Sequence, residues 1–286
     1  MRSSRAFDVP APLRDLTGSS LLAVFAHPDD ESLACGGLFA GCSERGARVS
    51  LLCLTHGEHG PGRDRGGLRE TRALELQEAS RVLGIRDVVL LDHEDGMLPW
   101  IDAALLEADI LEAIHRFQPD VVVTFDEDGL YWHPDHIAVH ERTTAAVGGL
   151  GDSAPALRYV SVPKGAIRAL VESASRHAGP GDSAEGAGVA DPMRASSRIL
   201  GVEDADAFGS NAPEPTLVVD AGRFAGPKLT ALRCHRSQIE GSALERLDER
   251  DAARFLGTEH YRRASVGAPG DTFIESFGTR FLPVGT

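Results

Sequence analysis

Three things are scarce in this chain, and each scarcity excludes something. Cysteine is the first: Cys35, Cys42, Cys53 and Cys234 are the only four, with no CxxC pair among them. They outline neither a zinc ribbon nor a disulfide framework, and Cys53 lies in an apolar run where a buried free thiol is expected. Long apolar runs are the second. No stretch approaches the roughly 20 residues of a membrane-spanning helix. The N-terminal "MRSSRAFDVPAPLRDLTGSS" is basic in part but lacks the apolar core of a secretory signal. A reducing cytoplasm is the expected compartment. Positive charge is the third, with a formal net charge of −14. An extended nucleic-acid surface needs clustered cations and is not expected, whereas an anionic substrate held by a few local arginines is still allowed.

What is present is the composition of an ordinary globular protein, 42% apolar and 25% charged over 286 residues, enough to bury a substantial core. The first half alternates. Strand-like runs occur at "LLAVFA" (21–26), "VSLLCLT" (49–55), "DVVLLD" (87–92) and "VVVTFD" (121–126). Between them, "LRETRALELQEASRVLG" puts Leu76, Ala79 and Leu83 on one helical face and stops at Gly84. "DAALLEADILEAIHRF" opens on Asp102 as N-cap. Apolar strands separated by amphipathic helices predict an α/β fold whose mostly parallel sheet carries helices on both faces. The second half adds strand-like "LRYVSVP" and "TLVVD" and helical stretches around 223–236 and 242–256. No repeat or boundary divides the chain, so one domain over 1–286 is expected, with 1–18 a flexible arm and the glycine-rich 172–197 a mobile loop or insertion.

In open α/β sheets ligands bind beyond the carboxyl ends of the strands. Four polar segments follow the four strands: "AHPDDE", "THGEHG", "DHEDGM" and "FDEDGLYWHPDH". Two of them share a pattern, His27-Pro28-Asp29-Asp30 and His133-Pro134-Asp135-His136. Imidazole nitrogen and carboxylate oxygen suit Zn²⁺ and other borderline divalent metals. The first and fourth residues of each segment can share one side of a tight turn. Three such ligands with a fourth position open to water make a catalytic metal, which brings its water to a pKa of about 7. "HPD" is also an ordinary helix entry, but its occurrence at two strand ends of one sheet favours the metal reading. Spacing alone does not separate the jobs of Asp29 and Asp30. Glu31 is explained as a carboxylate at a helix N-terminus. The glycines of "ACGGLFAG" form no GxGxxG and weaken a helix unless a backbone or a ligand approaches closely there.

"AHPDDE", "LTHGEHG", "YWHPDH" and the late "ALRCHRSQ" together resemble the PIG-L-type (LmbE-like) family of metal-dependent de-N-acylases, in order and spacing across most of residues 20–240. The resemblance implies a Rossmann-like three-layer sandwich and a hydrolase that removes an N-acyl group, foremost N-acetyl, from a glucosamine-type sugar or glycoconjugate. It implies Zn²⁺, or another divalent metal such as Fe²⁺, held by His27, Asp30 and His136. Asp29 becomes the general base. His133 stabilises the oxyanion or protonates the leaving amine, with Asp135 holding its ring and raising its pKa, and Tyr131 polarises the amide carbonyl. Arg69 and Asp95 are the implied substrate contacts; Glu58, on the neighbouring loop, is a candidate contact for a sugar hydroxyl or a solvated carboxylate, and the spacing of Arg72 and Glu75 suits a structural ion pair. His235 supports the site from behind, while His56, His59 and His93 are read as surface groups.

Other readings keep part of this pattern. A mycothiol-conjugate-type amidase or another metal-dependent amide hydrolase uses the same centre. A non-haem Fe(II) oxygenase also takes two histidines and a carboxylate, but requires neither Asp29 nor His133. A non-catalytic sugar- or metal-binding module would keep the scaffold alone. The expected partner is a small glycoside, with no nucleic acid and no membrane segment; a homo-oligomer is left open.

Overall fold

The computed structural model of the chain describes residues 14–176 and 199–280. The apolar runs of the first half form β1 (Ser20–Phe25), β2 (Arg48–Thr55), β3 (Asp87–His93) and β4 (Val121–Phe125), and "LRYVSVP" supplies β5 (Ala156–Ser161). These five pair in parallel. β1 and β4 are buried along nearly their whole length, which is why their sequences are continuous rather than alternating, while β3 at the edge is half-exposed.

With β6 (Leu217–Asp220), β7 (Thr258–Gly267) and β8 (Gly278–Arg280), the described residues make one eight-stranded sheet, ordered β3-β2-β1-β4-β5-β7-β6-β8. The chain winds outward from β1 to β3, then returns to lay β4 on the other side of β1. The order therefore reverses between β1 and β4, and beyond their carboxyl ends lies the crevice where such sheets bind ligands. The two His-Pro-Asp segments follow these two strands.

Helix α1 (Asp30–Glu44) and α2 (Leu68–Leu83) follow β1 and β2. On the return side are α3 (Ala103–Phe117), the single kinked turn α4 (Gly129–Trp132) and α5 (Pro134–Gly149). α6 (Ala166–Arg176) and α7 (Ala225–Cys234) come later. α1, α2 and α7 pack together on one face and α3 against α5 on the other, giving three layers. The expected signals operate: Gly84 closes α2 at φ 70°, and the Asp102 carboxylate accepts the Ala104 amide at 2.9 Å.

The second half and the N-terminus differ from expectation in several places. β7 (Thr258–Gly267) inserts antiparallel between β5 and β6 (Leu217–Asp220), and β8 (Gly278–Arg280) follows β6. β7 is disguised in the sequence because one of its inward residues is a carboxylate. Glu259 is buried against Lys228 Nζ at 2.7 Å and accepts the Gly37 and Leu38 amides of α1 at 2.8 and 2.9 Å. This is the close approach that the α1 glycines allow: a Cβ on Gly37 would lie 2.5 Å from the Ala221 Cβ. The helical stretch at 242–256 breaks into a 3₁₀ turn, a short α-turn and a π-helical segment, Ala252–Leu256. The one at 223–236 centres on α7. At the N-terminus, Leu16 is buried and its amide bonds the Arg45 carbonyl at 2.8 Å, so residues 14–18 are docked rather than a free arm. Of the expected loop 172–197, residues 172–176 complete α6, while 177–197, like 1–13, lie outside the described residues.

Candidate metal centre and active site

β1 delivers His27 to the crevice, and the chain then turns sharply. Asp29 sits at φ 108° and ψ −25°, a left-handed conformation that is costly for a residue with a side chain. Its amide donates to Glu31 Oε2 at 2.9 Å. Glu31 Oε1 in turn meets His235 Nε2 at 2.8 Å and the Ser32 hydroxyl at 2.5 Å. Glu31 is thus a buried tether between the turn and α7's C-terminal end, a role its sequence position did not reveal. The expected support from His235 is placed here, acting through Glu31.

The second segment is built differently. After β4, α4 carries positive φ at Gly129, Leu130 and Trp132 (54°, 65° and 66°). His133 is extended and caps α5, with Pro134 at its first position, and His133 Nδ1 accepts the Asp135 amide at 3.2 Å. One turn on, His136 Nδ1 bonds the Gly129 carbonyl at 3.1 Å and its ring stacks on Phe125 with centroids 4.0 Å apart. Both contacts hold Nε2 toward the crevice.

There three donor atoms converge. His27 Nδ1 lies 3.1 Å from His136 Nε2 and 3.5 Å from Asp30 Oδ2, and His136 Nε2 lies 3.3 Å from Asp30 Oδ1. Ligands about 2.0–2.2 Å from a tetrahedral zinc stand roughly 3.3–3.5 Å apart, so these edges fit a small divalent ion. Two overlapping groups are also compact, His27 with His133 and His136, and His27 with Asp95 and Asp135. The set of His27, Asp30 and His136 is the better one because it alone pairs two imidazoles with a carboxylate, and each of its histidines has its other ring nitrogen engaged. The charge fits at Asp30 and His136, whereas His27 would have to give up a proton to bind an ion. Burial alone would raise the Asp30 carboxyl, but His136 and His27 pull it down to about 2. Burial opposes a proton on His27, yet Asp135, Asp30 and Asp95 raise it well above its ordinary range. Burial lowers His136 to about 3, leaving it neutral as a ligand must be.

Asp135 does not hold the His133 ring through its carboxylate, as the sequence implied. Its oxygens accept the Gly96 and Leu98 amides at 2.7 and 3.1 Å, and Oδ2 meets His27 Nε2 at 3.2 Å. Asp95 Oδ1 lies 3.0 Å from the same nitrogen. The two carboxylates therefore orient a ligand histidine. His133 is lowered rather than raised, through burial and the neighbouring His27, so a neutral ring with Nδ1 accepting carries its proton on Nε2.

Asp29 lines a pocket of about 330 Å³ with His27, Asp95, Tyr131 and His133. Burial raises its carboxyl to about 7 against the pull of Arg72, whose Nη2 is 3.0 Å away. The expected division between the two arginines is reversed. Arg72 is buried in the pocket wall on Asp29, the Gly57 carbonyl and the Pro28 carbonyl, while Glu75 binds Ser237 instead. Arg69 turns to Asp92 and Glu58 and is not among the pocket-lining residues. The two lie three residues apart on one helix face, so spacing could not choose between them. Glu58 is also outside the lining set and sits under the Asp95 amide at 3.4 Å. His56, His59 and His93 are engaged by Asp92, the Asp95 carbonyl and Asp109 respectively.

Known proteins carry the same arrangement of sequence. The PIG-L family, described as GlcNAc-PI de-N-acetylase, matches residues 22–147. A 1D-myo-inositol 2-acetamido-2-deoxy-alpha-D-glucopyranoside deacetylase of Acidothermus cellulolyticus is 31% identical, covering 85% of this chain and 87% of its own. One of the same description from a Mycobacterium species is 32% identical over 97% and 94%. Among solved structures, N,N'-diacetylchitobiose deacetylase of Pyrococcus horikoshii superposes with a TM-score of 0.58 at 19% identity, over 86% of this chain and 84% of that one. GalB, a 4-carboxy-2-hydroxymuconate hydratase of Pseudomonas putida, does so with 0.59 at 16%, over 89% and 99%. A hydratase and a deacetylase share the fold, so the fold alone does not decide the reaction. Sequence similarity over nearly the full chain does decide the kinship: this protein belongs to the PIG-L (GlcNAc-PI de-N-acetylase) family.

Proposed function

We propose that the chain is a metal-dependent amide hydrolase that removes the N-acetyl group of a glucosamine-type sugar. The observation that carries this reading is the triangle of His27 Nδ1, Asp30 and His136 Nε2, one corner of which, His27, lines the same pocket as Asp29. The named activity of the relatives supports the sugar amide as substrate. Two imidazoles and one carboxylate suit Zn²⁺, with Fe²⁺ the rival ion. A divalent ion held there supplies Lewis acidity and makes water acidic enough to attack near neutral pH.

The protein's own groups do the rest. Asp29, held by Arg72 and by its strained turn, takes the proton of the attacking water; a carboxyl near 7 is matched to that task, and a bound cation draws it lower. The Tyr131 phenol stays protonated because burial raises it, and it donates to the developing oxyanion. His133, with its proton on Nε2, hydrogen-bonds the amide nitrogen as it turns tetrahedral and keeps that proton; the proton Asp29 took from the water is the one passed to the leaving amine. Asp95 lines the pocket as the acceptor for sugar hydroxyls. All four cysteines are free, which supports a reducing cytoplasm, and among the described residues no helix is long and apolar enough to cross a membrane.

The test is a panel of N-acyl-glucosaminides assayed for free amine, with chelator and with Zn²⁺ or Fe²⁺ restored. Chelator-sensitive amine release is expected. Release that ignores chelator, or oxygen uptake in place of amine, overturns the reading.

A further inference from the structure

Six large apolar side chains are exposed among the described residues, and four of them lie on the chain segments that follow Asp95 or precede His133: Met97 at 41%, Trp100 at 71%, Leu105 at 51% and Trp132 at 49%. Three of the four alternate in sequence with residues lining a second cavity of about 440 Å³. One wall of that cavity is Leu98, Ile101, Ala103 and Leu106; the other is Pro134 and Ile137 at the start of α5. Solvated apolar patches of this kind mark binding surfaces.

This cavity adjoins the catalytic pocket along two chain segments at once. Asp95 lines the pocket and Leu98, three residues on, lines the cavity. His133 lines the pocket and Pro134, one Cα step of about 3.8 Å away, lines the cavity. The seam between them is Asp135, which receives the Gly96 and Leu98 amides. At the far end Arg142 is paired with Glu107 and Glu141 at 3.0 and 3.3 Å, so no uncompensated charge faces an occupant there.

We infer that this cavity is a subsite for an apolar aglycone, an alkyl chain carried by the sugar whose amide is cut. The inference rests on the deacetylase reading for its direction. Asp95 and His133, the pocket residues that lead along the chain into Leu98 and Pro134, are the groups assigned to the sugar and the leaving amine, whereas the ring of Tyr131, which handles the acyl carbonyl, packs on Phe208, a residue lining neither cavity. Apolar walls and exposed tryptophans favour an alkyl group over a polyol, whose hydroxyls would lose water there without gaining partners.

The experiment compares methyl and hexyl N-acetylglucosaminides, both below micelle-forming concentration, with methyl N-hexanoylglucosaminide as the acyl-side control. Binding is read by calorimetry and turnover by amine release, in the wild type, Trp100→Ala and Ala103→Trp, the last placing an indole in the cavity from an exposed position. The hexyl glycoside should bind about tenfold tighter than the methyl glycoside, as expected if a few methylenes leave water. Both substitutions should remove that advantage and leave the methyl glycoside within about twofold of wild type. Equal binding of hexyl and methyl glycosides overturns the subsite. So does a preference for the hexanoyl amide, or a groove-dependent dimer seen by sedimentation. Tighter hexyl binding without amine release from any substrate upholds the subsite and instead overturns the hydrolase reading.

Discussion

The two His-Pro-Asp segments read alike and are folded out of phase. In the first, the helix begins at the fourth residue, Asp30, and the third, Asp29, is forced into the left-handed region. In the second, the helix begins at the second residue, Pro134, and the third, Asp135, is already inside its first turn. The shift changes what equal letters do. Asp29 faces the pocket and Arg72, whereas Asp135 faces inward, tying Gly96 and Leu98 to the back of His27. The leading histidines part as well, His27 toward the ligand triangle and His133 into the cap of α5. A repeated motif therefore supplies matching chemistry without matching roles, and the roles are set by where each helix starts.

That contrast can be broken by substitution at the paired positions. Asp29→Asn should cost the most, about 10²–10⁴ in kcat as expected for loss of a general base, with metal content by elemental analysis near wild type. Loss of metal in that variant would erase the distinction between the two aspartates. Asp135→Asn should weaken metal binding about 10–100-fold, the usual consequence of losing a carboxylate behind a ligand histidine, and raised metal concentration should restore turnover. Failure of metal to restore it would place Asp135 in the chemistry itself. Arg72→Met should lower kcat/KM roughly tenfold to a hundredfold, since a buried charge-assisted hydrogen bond is worth about 1.5–3 kcal/mol. Arg69→Met should change it by no more than about twofold, because its ion pairs lie at the solvent edge. Equal losses in the two arginine variants would return Arg69 to the pocket.

Much of this was legible beforehand, for identifiable reasons. The parallel half of the sheet announces itself because buried strands are continuous apolar runs and their helices carry ordinary caps. The proposed metal ligands stood out as candidates because they sit in short segments at strand ends, although only the family resemblance separated Asp30 from Asp29. What stayed hidden depends on contacts distant in sequence. Glu31 looks like any acidic residue at a helix start, and only α7 bringing His235 to it, 204 positions away, gives it a role. β7 stayed hidden because the buried Glu259 breaks its alternation. The Asp135 carboxylate was misplaced because its partners, Gly96 and Leu98, offer backbone amides, which no side-chain pattern signals.

Residue order along α1 has a consequence for how the protein is made. The proposed ligands and base are all present once residue 136 has been synthesised. Yet α1, which begins with Asp30, is gripped at Glu31 by His235 and at the Gly37 and Leu38 amides by Glu259. At about 5–20 residues per second, a ribosome adds these two grips several seconds after the last ligand. During that interval the nascent chain carries a complete set of proposed metal donors, one of which, Asp30, opens a helix that is not yet clamped. The order of synthesis thus separates having the donors from holding them in register, and the step that joins the two is the docking of the C-terminal strands.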